Sequence, residues 1–135
     1  RQTNSAEGGV VSIFIEKLLS NNQVTIDGNG DQTRDFICVL DIALANLAAI
    51  NMPTTGIFHI STNHEISINQ LYNTIKTQLG TTHPPKYGQK READIFKSVL
   101  SNQAIKKTFN WNPHYSLEKG LKETIQYFKT TDSNQ

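Results

Sequence analysis

A chain of 135 residues fits one domain or part of a larger one. Its 13 basic and 12 acidic residues leave a net charge of +1 with no charge block, which argues against nucleic acid or an anionic membrane as partner. A single cysteine, Cys38, excludes an intrachain disulfide, makes a poor metal site and fits a reducing, cytoplasmic compartment.

The apolar stretches are far shorter than the ~20 residues of a membrane span. The amino end, Arg1 to Ser5, has no starting Met and no apolar run behind a basic start, so a piece of something longer is expected, without a signal peptide. Residues 1–9 are polar, end in Gly8-Gly9 and read as a loop. Val10, Val11, Ile13, Phe14, Ile15, Leu18 and Leu19 then recur at helical spacing and predict an amphipathic helix ended by Ser20-Asn21-Asn22. Val24-Thr25-Ile26 predicts a short strand. Asp27-Gly28-Asn29-Gly30-Asp31 predicts a tight turn, since Gly and Asn accept positive φ at little cost. Phe36-Ile37-Cys38-Val39 predicts a second strand, and Asp41 the cap of a helix reaching Ile50.

Pro53 and Gly56 close that unit. Ile57-Phe58-His59-Ile60 predicts a buried strand, with His59 packed in it. Ser67 and Gln70 have capping-box spacing, and Ile66 can staple onto Leu71. The helix that follows uses Ile68, Leu71, Tyr72, Ile75 and Leu79 and stops at Gly80. Pro84 to Gly88 reads as an extended loop or edge strand. A short helix is expected near Ser101–Phe109, broken by Asn112-Pro113, with Trp111 filling the core at its exit. Ser116 caps a last helix through Phe128, and the tail from Thr130 is polar. Strands alternating with helices give an α/β class, with too few strands for a complete doubly wound sheet.

The turn at Asp27–Asp31 is not a calcium loop. Such a loop wants Gly at its sixth position and Glu at its twelfth, and Gln32 and Cys38 stand there. Nor is it a dinucleotide fingerprint, which needs a third Gly and a helix directly after it. Arg34, between a Gly-rich turn and a strand, is placed to fork onto phosphate oxygens, or else to pair with Asp31 or Asp35 at the surface. Arg91 and Asp94 could grip a phosphate and a sugar hydroxyl, or form an ordinary charged loop. The four histidines, His59, His64, His83 and His114, have no metal-ligand spacing, and no metal is expected.

Four stretches in order carry a resemblance. They are Gly8-Gly9-Val10-Val11-Ser12-Ile13-Phe14; Val24 through Ile37, with Gly28-Asn29-Gly30-Asp31-Gln32-Thr33-Arg34-Asp35-Phe36; Arg91-Glu92-Ala93-Asp94-Ile95; and Asn110-Trp111-Asn112-Pro113 with Ser116-Leu117-Glu118-Lys119-Gly120-Leu121. Together they resemble the substrate-binding, carboxy-terminal part of the extended short-chain dehydrogenase/reductases, in the UDP-glucose 4-epimerase-like branch. The resemblance runs from Arg1 to about Phe128. It implies the carboxy-terminal portion of a Rossmann-type sugar-nucleotide epimerase, with residues 1–129 as substrate-binding region, 130–135 as tail and the NAD-binding half missing.

The same resemblance implies that Arg34 and Arg91 bind the diphosphate of a UDP- or dTDP-sugar and Asp94 the ribose hydroxyls. Val10 and the backbone around Thr25, Ile26 and Asp27 would border the nucleobase. It implies a parent enzyme, an isomerase of carbohydrate metabolism and possible homodimer, that oxidises and re-reduces the sugar at C4 through NAD. The alternatives are a 4,6-dehydratase or decarboxylase, or a non-catalytic remnant that binds nucleotide or associates with itself. Catalytic residues are expected in the missing half, so the chain alone should neither bind NAD nor turn over substrate. The spacing Tyr-x-x-x-Lys occurs at Tyr72/Lys76 and Tyr115/Lys119, in neither case in the family's catalytic context. The sequence departs from the family pattern at Asp27 (usually aromatic), Cys38 (usually Tyr or His), Leu40 (usually Asp) and Ala93 (usually Gly).

Overall fold

The computed structural model describes residues 9–50 and 52–132; of the loop expected over residues 1–9 only Gly9 lies within them, and the described part of the tail expected over 130–135, residues 130–132, continues the last helix instead. Helix α1 (Val10–Leu19) starts after Gly9, and the chain turns at Asn21 with φ +56°. Strand β1 (Thr25–Asp27) follows, then the turn with Gly28 at φ +71° and Gly30 at φ +77°. Strand β2 (Thr33–Arg34) is two residues long. Helix α2 (Val39–Ile50), strand β3 (Ile66–Ser67) and helix α3 (Ile68–Leu79) come next. Strands β4 (Lys86–Gly88) and β5 (Lys97–Ser98) precede helices α4 (Gln103–Phe109) and α5 (Leu117–Asp132).

Two small sheets hold the distant segments together. β1 pairs in parallel with β4, Thr25 opposite Lys86 and Asp27 opposite Gly88. β2 is the centre of the other sheet, antiparallel to β3 and parallel to β5. The main core lies between α1, α3 and α5 and takes in Val24 and Ile26. Its members follow the helical period: Phe14, Ile15 and Leu18 from α1; Ile68, Leu71, Tyr72 and Ile75 from α3; Leu121, Ile125 and Phe128 from α5. The ring of Phe14 meets Tyr72 edge-on at 5.8 Å.

Helix ends are set as the residues predict. The Ser67 hydroxyl accepts from the Gln70 amide at 3.1 Å, and the Gln70 side chain accepts from the Ser67 amide at 2.8 Å, a complete capping box. Ile66 packs against the cluster that holds Leu71. Gly80 ends α3 in the left-handed conformation, φ +68°. Asn110 does the same for α4 at φ +50°, and Ser116 accepts from Lys119 N at the start of α5.

Three expectations are corrected. Residues 36–39 form no strand: Asp35 turns the chain away by accepting from Thr62 N, Thr62 Oγ1 and Asn63 N, and Val39 already opens α2. Asp41 does not cap α2 from outside but lies in its first turn, while Cys38 offers its carbonyl to Asp41 N and Ile42 N. The Asp41 carboxylate is fully buried and accepts from His114 N at 2.8 Å and Tyr115 N at 3.1 Å, so it pins the segment before α5. Residues 57–60 are neither a strand nor buried. Phe58 and Ile60 pack against a second cluster of Ala45, Ile105 and Trp111, while Ile57 is 94% exposed and His59 is exposed. The alternation suits a strand, but no described segment pairs with it.

Candidate nucleotide-sugar site

The turn after β1 is clamped from α3. Asn69 N donates to Gly30 O at 3.0 Å, and Asn69 Nδ2 donates to Asn29 O at 2.9 Å. A Cβ at position 30 would collide with the Asn69 amide, and its positive φ disfavours any side chain. Tyr87 from β4 donates to Asn69 Oδ1 at 3.0 Å, and Gln32 Nε2 donates to Asp27 O at 2.8 Å. The turn is thereby a rigid shelf facing the segment before β5.

Arg34 points across that space. Its guanidinium donates to Thr33 O at 2.8 Å, to Ile95 O at 2.6 Å and to Asp94 Oδ1 at 2.5 Å. Its partner is Asp94, sixty positions away, rather than Asp31 or Asp35. Arg91 pairs not with Asp94 but with Asp27, Nε to Oδ2 at 2.6 Å, and its side chain is 78% exposed. Glu65 bridges to Lys97 at 2.6 Å and accepts from Thr33 Oγ1, tying β5 to the approach to β3. The Lys97 ammonium holds the Glu65 carboxyl below the usual carboxylate range. Burial pushes the Tyr72 phenol up; its hydroxyl donates to His83 O at 2.5 Å, a core anchor. At the second Tyr-x-x-x-Lys spacing the Lys119 ammonium lies 4.0 Å from the centre of the Tyr115 ring, a cation–π contact.

Two cavities border the Arg34–Asp94 pair. A cavity of about 310 Å³ is lined by Asp27, Gly28, Asn29, Gln32, Lys90, Asp94 and Phe96. A smaller one of about 150 Å³ is lined by Arg34, Asp35, Ile60, Ser98 and Leu100 among others. Of the residues singled out in the sequence, Asp27, Arg34, Arg91 and Asp94 come together here. Val10 and Ile26 pack with the main core, and neither they nor Thr25 lines either cavity. Sequence reasoning missed Gln32, Lys90 and Phe96. For Phe96 a signal existed: a bulky ring in a charged stretch, with no periodic pattern to bury it.

Among the described residues no group of three or more His, Cys, Asp or Glu is arranged to hold a metal. No described helix is long and apolar enough to cross a membrane.

Comparison with known proteins accords with this geometry. The model of the NAD dependent epimerase/dehydratase family matches residues 1–61. A candidate UDP-glucose 4-epimerase of Methanocaldococcus jannaschii is 38% identical over 134 residues, 98% of this chain and 43% of its own length. The chain is similar to the carboxy-terminal part of UDP-glucose 4-epimerase-like proteins of that family. The UDP-glucose 4-epimerase of Thermotoga maritima, solved with UDP-glucose, superposes with a TM-score of 0.93 at 38% identity, over 97% of this chain and 42% of that one. The UDP-N-acetylglucosamine 4-epimerase of Methanobrevibacter ruminantium M1, solved with UDP-N-acetylmuramic acid, gives 0.92 at 29% identity, over 97% of this chain and 43% of that one. The chain thus spans about two fifths of the length of these family members, and the part it matches is their carboxy-terminal one.

Proposed function

We propose that this chain is the nucleotide-sugar-binding portion of a UDP-glucose 4-epimerase-like enzyme. In that reading the whole protein oxidises the sugar at C4 through NAD and returns the hydride to the opposite face. The observation that carries it is the Arg34–Asp94 pair, in which Asp94 lines the larger cavity and Arg34 the smaller one. A nucleotide sugar has the same order of parts, a nucleoside and a sugar joined by an anionic diphosphate.

Arg34 is held in a fixed pose by two carbonyls and a carboxylate, so its donors are oriented before a ligand arrives. Arg91, which is exposed, swings from Asp27 to the second phosphate. Asp94 then accepts from a ribose hydroxyl while still holding Arg34. Asp27, which lines the larger cavity, lies beside the base, while Thr25, Ile26 and Val10, which line neither cavity, support it from the strand and the core behind. Uridine is favoured over thymidine because the two epimerase structures were solved with UDP-linked sugars.

The described residues do not fit NAD. A dinucleotide's pyrophosphate needs a Gly-rich turn opening a helix, and the turn at Gly28 and Gly30 runs from one strand to another. In this proposal NAD belongs to the remainder of the protein, and residues 1–129 form the substrate-binding region. Two features suit contact with that remainder: the apolar outer face of α2, with Val39, Leu44 and Ile50 exposed, and the unpaired 57–60 segment.

The test is Arg34→Ala in the full-length protein. UDP-glucose affinity falls by roughly 1–3 kcal/mol, the cost of losing a charge-assisted hydrogen-bond partner. A dissociation constant equal to that of the unaltered protein refutes the assignment.

A further inference from the structure

We propose that Phe96 is the stacking platform for the nucleobase. This rests on the nucleotide-sugar reading above and adds a surface which that reading leaves out. Phe96 lines the larger cavity and supplies its one apolar side chain; Asp27, Asn29, Gln32, Lys90 and Asp94 are all polar. The ring is 58% exposed, although burial of a Phe is ordinarily favourable by about 1.5–3 kcal/mol. A single flat aromatic face among side chains with polar ends suits a ligand with a π-face and polar edges, which describes a nucleobase.

The local structure presents the ring deliberately. The Phe96 carbonyl accepts from Thr33 N at 2.8 Å, so its backbone is fixed against β2 just before β5 begins. Asp94 and Phe96 line the cavity while Ile95, between them, does not: its carbonyl accepts from Arg34, and the backbone bends at Phe96. Asp94 is placed for the ribose, and the next side chain lining the cavity is the ring. Across the cavity, Gln32 and the clamped turn at Asp27–Asn29 offer polar partners for a base edge.

Sugars also rest on aromatic faces, so the test separates base from sugar. In the full-length protein, calorimetry gives the dissociation constants of UDP and of inorganic pyrophosphate for the unaltered protein, Phe96→Ala, Phe96→Tyr and Arg34→Ala. Phe96→Ala weakens UDP about ten- to a hundredfold and leaves pyrophosphate unchanged. Phe96→Tyr, which keeps the ring, binds UDP as the unaltered protein does. Ring current moves the uracil H5 and H6 resonances of bound UDP upfield in the unaltered protein, and Phe96→Ala abolishes that shift. If Phe96→Ala binds UDP normally with the shift retained while Arg34→Ala still loses UDP, the stacking role is wrong and the nucleotide reading stands. If the unaltered protein binds neither UDP nor pyrophosphate, both fall.

Discussion

The two apolar clusters of this molecule are built to different standards. The cluster between α1, α3 and α5 closes on itself: each helix turns one apolar stripe inward, and Ile15, Leu71 and Ile75 are fully buried. The cluster of Ala45, Ile105 and Trp111 is small and covers one side of α2. That helix is apolar nearly all round, yet Val39, Leu40, Leu44 and Ile50 face outward. A helix with this composition is ordinarily enclosed. The first region is therefore stable by its own contacts, and the second is finished only on one side.

The comparison breaks most sharply at Leu71. Leu71→Ala removes a side chain with no exposed surface and costs about 2–5 kcal/mol, read from urea unfolding followed by circular dichroism. A loss below about 1 kcal/mol would mean that the main core repacks and is no better specified than the second cluster. Asp41→Ala comes next. It strands the His114 and Tyr115 amides and costs about 1–3 kcal/mol, with faster hydrogen exchange at those two amides as its local signature. Normal exchange there would detach the second region's order from Asp41. Smallest is Ile50→Lys, expected to change stability by less than about 0.5 kcal/mol because the side chain is exposed. The same substitution in the full-length protein costs more if α2 is covered there, and an equal, negligible effect in both removes that idea.

The same division governs what could be read from the sequence. The helices of the main core declared themselves because period and end signals agree: Ser67 with Gln70 at one end of α3, Gly80 at the other. Around α2 they conflict. Phe36 to Val39 carries β-favouring residues, but Asp35 spends its carboxylate on Thr62 and Asn63, a bond across 27 positions that no local pattern reveals. The segment at 57–60 has the alternation of a strand without a described neighbour to pair with. In the site, residue types pointed to Arg34, Arg91, Asp27 and Asp94, but not to who pairs with whom. Arg34 takes Asp94 and Arg91 takes Asp27, because β1–β4 and β2–β5 bring two remote stretches into register. Gln32 and Lys90 acquire meaning only once that register exists.

That register also makes the site a matter of timing. Both parallel ladders and the Arg34–Asp94 and Arg91–Asp27 ion pairs join residues 25–34 to residues 86–98. As the chain leaves the ribosome, the early stretch emerges with Arg34 and Asp27 but without a counterpart. Closing a loop of some sixty residues then sets the pace at which the cleft appears. A chain released before Asp94 carries Arg34 without the carboxylate that holds its guanidinium in place.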